Sequence, residues 1–413
     1  TSPTNSADDN SMASSVRPPS DARLDVLDGL RGIAILMVVW WHLWLFSWLS
    51  PYFTVFGHRF DTLVIPGTGL MGVELFFFIS GFVLFYPYAR HLFEGRPLQT
   101  VKQFAYRRFV KIVPSYVIAL IVAAVLLGEF PTFWQGVWQI VSHLLFIHIF
   151  SVPTWVGING VLWSLGVEVQ FYVIFPAVCW AFRRWPVITY LAMVAVAVGY
   201  RLWASHINVG DYVLMGQLPA YLDLFANGML AAYLFVWARA RLPVERYQWL
   251  GTAVALGSGV AIFALLNNML TRLYVPNGYN AWQASNRPFF GVALLVFTIA
   301  ALFSYAWLHR AIANRAFVFL GVISYNLYLW HNVVMVYMLR HHIPASNGDP
   351  HADEHWKWVY TVWSLLISLA ISIFVTYVIE RPILKKGLRA ITDLFQRRPE
   401  IPREPAPAAV SDG

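Results

Sequence analysis

Apolar runs of roughly the length of a membrane-crossing helix recur along this chain, each closed off by a short polar or basic connection. The strongest cover 29–49, 68–88, 112–128, 161–182, 187–204, 216–237, 248–267, 289–308, 317–339 and 357–379. About 20 apolar residues cross the hydrocarbon of a bilayer as a helix, so the pattern predicts ten spans. The expected fold class is all-α, a polytopic transmembrane helical bundle. A further apolar segment, 133–152, contains Gln135, Gln139, Ser142, His143 and His148 and ends at Pro153. Basic residues concentrate in cytoplasmic loops, and this rule assigns that segment. With ten spans, one side collects Arg90 to Lys111, Arg183 and Arg184, Arg239, Arg241 and Arg246, Arg310 and Arg315, and Arg381, Lys385, Lys386 and Arg389. An eleventh span would turn every later basic loop outward. Segment 133–152 is therefore expected to be interfacial or re-entrant, with both termini cytoplasmic.

Residues 1–22 are polar and rich in Ser, Pro and Asp, a composition that does not bury a core. They are expected to form a disordered cytoplasmic segment. A similar tail is expected over 393–413, leaving 23–392 as one transmembrane domain. The first apolar run is too long for a signal-peptide core, and no small-residue cleavage site follows it. Composition agrees with a bilayer as solvent: 58% of residues are hydrophobic and 12% charged, against about 25% charged in soluble domains. The expected location is the cell (inner) membrane. The formal net charge is +8, but the cations are scattered between spans rather than gathered on one face, which argues against a nucleic-acid partner. A single cysteine, Cys179, excludes an intramolecular disulfide. The 19 tryptophans suit interfacial belts, and some suit stacking on a sugar ring.

Four stretches carry polar groups that a passive span does not need. Arg31 and His42 lie eleven residues apart on the first span, close to three helical turns. They share a face and stand about 16 Å apart along the axis. Snorkelling explains Arg31 alone, and a satisfied core histidine explains His42 alone; the shared face favours a joint role. Glu74, in Gly72 to Gly81, and Glu168, in Trp163 to Tyr172, are carboxylates inside apolar runs. An intramembrane carboxylate points to a functional site, a helix–helix ion pair being the alternative. The topology puts His42, Glu74 and Glu168 towards the outer side, and a histidine with a carboxylate partner is an acid–base arrangement. Arg107, Arg108 and Lys111 precede a span on the basic side. They read either as a positive-inside anchor or as a clamp for the phosphates of a cytoplasmic donor.

These stretches resemble, in the same order, the membrane acyltransferase-3 family: Leu27-Asp28-Gly29-Leu30-Arg31-Gly32 with His42, Gly72 to Gly81, Arg107-Arg108 to Pro114, and Trp163 to Tyr172. Ile323 to His331 and Glu380-Arg381-Pro382 extend the likeness, which covers about 23 to 390. The resemblance implies transfer of an acyl group, commonly acetyl, from a cytoplasmic acyl-CoA to a hydroxyl of a carbohydrate or related acceptor. It makes Arg31 and His42 the functional pair. On this reading Arg31, Arg107, Arg108 and Lys111 hold acetyl-CoA or another acyl-CoA. His42 is general base, oriented by Glu168 as first choice or Glu74 as second. Trp163, Ser80, Tyr325 and His331 are candidates to contact the acceptor, although a helix–helix hydrogen bond explains His331 equally well. An acyl-His intermediate is an alternative route. The chain shows a Pro-rich tail where some members carry an extra-cytoplasmic hydrolase-like domain, so it is expected to complete transfer alone or with a separate partner. His351 and His355, beside Gly348 and Pro350, read as a solvated loop, and no metal is expected. A proton-coupled transporter of a lipid-linked sugar or small anion would also use intramembrane Arg, His and Glu, but no matching pair of Gly/Pro-broken helices stands out. A non-catalytic partner subunit gives no reason for an Arg and a His to share one face.

Overall fold

The computed structural model describes residues 24–386 apart from 57, 208–211 and 347. The expected disordered ends, 1–22 and 393–413, lie outside the described residues. The architecture is a bundle of long helices: α1 (Asp25–Ser47), α2 (Gly72–Glu94), α3 (Val101–Leu127), α4 (Phe133–Leu144), α5 (Trp163–Arg184), α6 (Pro186–Ile207), α7 (Leu222–Arg241), α8 (Gln248–Leu273), α9 (Gly278–Ser285), α10 (Arg287–Leu302), α11 (Arg315–Arg340) and α12 (Glu354–Phe374). Among the described residues, nine helices are long and apolar enough to cross a membrane, and the α9–α10 pair, bent by 54°, makes a tenth if counted as one span. The ten apolar runs of the sequence fall on these elements. Helix α4, at 12 residues, is about 18 Å long, too short to span. It exposes Phe133, Trp134 and Trp138 and buries Ser142 and His143, which suits an interfacial segment leaning on the bundle.

Two features depart from the expectation of plain helices. A small antiparallel hairpin, β1 (Tyr52–Val55) with β2 (His58–Asp61), follows α1. Helix α12 passes into a π-helical turn at Val375–Glu380 before a last helical stretch, Arg381–Lys386.

Glycine sets how closely the central helices approach, because small residues let backbones touch in a membrane bundle. A Cβ on Gly32 would strike the Phe317 carbonyl, and one on Gly321 the Asp28 carbonyl, so α1 and α11 meet backbone to backbone. Gly81 against Phe225 and Gly228 against Phe78 do the same for α2 and α7, while Gly72 faces the Ala34 carbonyl of α1. Helix α1, which carries Arg31 and His42, is thereby wedged between α2 and α11. The glycines of the two sequence motifs are thus explained by packing.

Candidate active site

A cavity of about 800 Å³ opens among α1, α2, α3, α5 and α11. Arg31, Arg107, Arg108 and Lys111, the four cations assigned to the donor, all line it, together with Ser80, Glu168 and Tyr325. Phe76, Phe77, Ile79 and Leu165 line apolar wall. Tyr106, Arg107 and Lys385 belong to the connections that the charge rule puts in the cytoplasm.

The cations are held differently. Arg107 is exposed and reaches Gln99 Oε1 at 3.4 Å. The Arg108 guanidinium lies 5.9 Å from the Tyr172 ring centre, and its buried Nε has no hydrogen-bond partner. Lys111 is paired with Glu380 and stands over the Tyr325 ring. Glu380 also accepts a 2.6 Å hydrogen bond from Asn326, whose amide donates to Thr376 as well. Lys111 therefore joins α3 to the π-helical turn, and its charge is already answered by a carboxylate. Glu380 was legible only as part of the Glu-Arg-Pro stretch; nothing in the spacing named Lys111 as its partner.

The two carboxylates expected behind His42 are elsewhere. Glu168 accepts from Ser80 Oγ at 2.6 Å and from Tyr172 OH, and it faces the cavity. Glu74 is 2% exposed and lies 3.3 Å from Arg287, which also donates to the Ala220 carbonyl and stacks over Tyr221. Beside it, Arg201 grips Asp223 through two hydrogen bonds of 3.0 and 2.7 Å. This buried four-charge network ties the ends of α2, α6, α7 and α10 opposite the basic connections. Neither glutamate is bonded to His42. Arg201 and Arg287 escaped the sequence reading, although an arginine within the 187–204 run was a visible signal.

The partner of His42 is His331. Their rings meet edge to face with centroids 4.8 Å apart, and His331 Nε2 lies 3.3 Å from His42 Nδ1. His42 Nδ1 is also 2.8 Å from the Val38 carbonyl, and His331 Nδ1 is 2.9 Å from the Leu327 carbonyl. A carbonyl only accepts, so both Nδ1 atoms carry their proton. In a neutral His42 the lone pair is then on Nε2. His42 is half-buried, whereas His331 is fully buried.

Neither His42 nor His331 lines the cavity, but Tyr328 does. Its ring lies 5.8 Å from that of His331. Its hydroxyl donates to the Val161 carbonyl at 2.8 Å and is 2.6 Å from Ser164 Oγ. Of the expected acceptor contacts, Ser80 and Tyr325 line the cavity, with Tyr325 OH donating to the Ile112 carbonyl at 2.7 Å. Trp163 sits instead in an aromatic cluster, stacked on Trp155 at 5.4 Å and near Tyr221.

A second histidine pair lies outside the spans. His143 and His148 stack with centroids 4.1 Å apart, both fully buried. Burial pushes His143 down to about 4 and His148 to about 3, the neighbouring ring adding to the latter. Among the described residues no group of three His, Cys, Asp or Glu is placed to hold a metal ion. His351 Nε2 is within 3.1 Å of the Phe46 carbonyl.

The profile of an acyltransferase domain matches residues 24–381. The chain belongs to this acyltransferase family. It is 25% identical over 331 residues to the peptidoglycan O-acetyltransferase OatA of Listeria monocytogenes serovar 1/2a (strain ATCC BAA-679 / EGD-e), covering 74% of this chain and 48% of that relative. It is 22% identical over 400 residues to the O-acetyltransferase OatA of Staphylococcus aureus (strain MRSA252), covering 91% of this chain and 60% of the relative. The chain thus spans about half to three fifths of the length of these curated relatives. No solved structure matches it. Family and bundle together make it a multi-pass membrane member of the family.

Proposed function

We propose that the protein is an integral membrane O-acyltransferase of the cell (inner) membrane. It moves an acyl group, acetyl first among them, from cytoplasmic acyl-CoA to a hydroxyl of a carbohydrate or glycoconjugate on the outer side. The observation that carries this reading is the cavity lined by Arg31, Arg107, Arg108 and Lys111, with Tyr328 in its wall and the Tyr328 ring 5.8 Å from that of His331, the partner of His42. Arg107 and Arg108 bind the donor's phosphates, as guanidinium groups do bidentately. The pantetheine arm follows the apolar wall past Arg31, and the thioester reaches His42 once Tyr328 yields.

At that point His42 Nε2 takes the proton of the acceptor hydroxyl. The oxygen forms its bond to the thioester carbonyl carbon, the carbon–sulfur bond breaks, and the departing thiolate takes the proton back from His42. Ester and free CoA thiol result, with His42 neutral again. Glu168, held by Ser80 and Tyr172, belongs to the cavity wall in this scheme, and Lys111 braces α3 against Glu380. Two curated relatives carry O-acetyltransferase names, one of them for peptidoglycan, which supports a glycan acceptor.

The test is release of free thiol from acetyl-CoA by purified protein, wild type beside His42→Ala, against a panel of sugar and glycan-fragment acceptors. Release that needs both an acceptor and His42 is expected. Normal turnover by folded His42→Ala protein overturns the base assignment. The transporter reading gains if folded wild-type protein releases no thiol with any donor and acceptor tried.

A further inference from the structure

We infer that His331 is a positioning residue for His42: it receives the His42 Nδ1 proton in a hydrogen bond and so does the work that a carboxylate does behind a general-base histidine. The inference rests on the proposed acyl transfer and concerns how its base is held. His331 lies four helical turns into α11, on the helix that meets α1 backbone to backbone at Gly32 and Gly321. That contact brings two histidines 289 positions apart in sequence to 3.3 Å.

The protonation pattern follows from the acceptors. The Leu327 carbonyl takes the His331 Nδ1 proton, which leaves the His331 Nε2 lone pair pointing at His42. His42 Nδ1–H is then shared between the Val38 carbonyl and His331 Nε2. This holds the ring orientation and keeps the basic nitrogen at Nε2, the one not committed to a carbonyl. When Nε2 gains the acceptor's proton, ring charge makes Nδ1–H a stronger donor, and both of its bonds strengthen. No proton leaves the pair. Charge-assisted hydrogen bonds are about twice as strong as neutral ones, so the contact favours the charged state formed during transfer more than the resting state. That is the condition for raising turnover rather than binding.

Two other observations fit. His331 has no exposed surface, so it does not touch an acceptor. Both intramembrane glutamates are engaged elsewhere, Glu168 with Ser80 and Tyr172 and Glu74 with Arg287. A neutral imidazole also supplies an acceptor without adding a fixed charge to an apolar interior, where an unpaired charge is costly.

Two substitutions of like polarity separate this role from simple packing. In His331→Asn the amide occupies the position of Nδ1 and keeps the Leu327 contact, but it is too short to reach His42. In His331→Gln an amide oxygen takes the place of Nε2 and accepts from His42 Nδ1–H. With thiol release from acetyl-CoA as readout and unfolding temperature measured alongside, His331→Asn is expected to lower kcat about tenfold or more with KM for acetyl-CoA unchanged. His331→Gln is expected to recover most of that loss. Equal loss in folded Asn and Gln variants, or wild-type kcat in His331→Asn, overturns the inference while leaving the acyltransferase reading in place. Wild-type turnover by folded His42→Ala defeats the parent reading instead, and this one with it.

Discussion

Arg287 and Glu74 face each other at 3.3 Å with 1% and 2% of their side chains exposed. Glu74 Oε2 and Arg287 Nε have no further partners. A buried pair of this kind stabilises little over an apolar replacement, yet loss of one member strands the other, at about 3–5 kcal/mol. Glu74→Leu and Arg287→Met are each expected to lower thermal stability in detergent sharply, and the double variant to recover much of the loss. Thermal unfolding followed by tryptophan fluorescence checks this. A stable single variant with lost turnover would give Glu74 a chemical role instead.

Arg108 and Lys111 line the same cavity but are predicted to behave differently. Arg108→Ala removes a cation with an unpartnered Nε, and hydrogen bonds to charged groups are worth about 1.5–3 kcal/mol. Its KM for acetyl-CoA is expected to rise about tenfold or more with a smaller effect on kcat, the pattern of lost ground-state binding. Lys111→Ala leaves Glu380 buried without its cation, so its main effect is expected in the unfolding temperature. Initial-rate kinetics beside melting curves distinguish the two.

The backbone contacts at glycine predict intolerance of any larger side chain. Gly228→Leu and Gly32→Leu each drive a side chain into a facing carbonyl. Overpacking costs about 1–3 kcal/mol and occasionally more; with backbone as the obstacle the upper end is expected. Size-exclusion profiles of the solubilised variants should show little monodisperse protein, whereas Gly199→Ala, with nothing near its Cβ position, should run as wild type.

His143 and His148 predict a loss of stability in acid. Unfolded histidine titrates near pH 6.5, whereas burial holds these two at about 4 and about 3. Between those values the unfolded state binds more protons, so stability falls as pH drops from about 6.5 towards 4 and is fully present above 6.5. The double variant His143→Phe, His148→Phe is expected to flatten that slope. Melting temperatures measured between pH 7 and pH 4.5 check it.

The spans, the interfacial character of 133–152 and the basic cluster near the start of α3 were legible because each depends on local hydropathy or on clustered charge. Arg107, Arg108 and Lys111 lie within one helical turn of each other and needed no tertiary information. Partnerships across the bundle were not legible. Glu74 and Glu168 look alike as carboxylates in apolar runs, and only the fold gives one to Arg287 and the other to Ser80 and Tyr172. His331 met His42 through the seam between α1 and α11, which no spacing rule encodes. The hairpin at Tyr52–Asp61 is too short to leave a clear alternation, and the π-helical turn has no apolar signature of its own.

Helix α1, wedged between α2 and α11, has one more consequence. Arg31 and His42 sit on a single rigid rod about 16 Å apart, and close contact on two sides leaves that rod little room to slide. If the proposed transfer runs along this helix, the separation is a ruler against which a donor is measured. On the proposed route a donor gripped by its phosphates at Arg107 and Arg108 passes Arg31 with this length still to cover, and one whose reactive carbonyl lies too near its anionic end falls short of His42, whatever acyl group it carries. Discrimination among donors would rest on the length of the arm before it rests on the size of the group transferred.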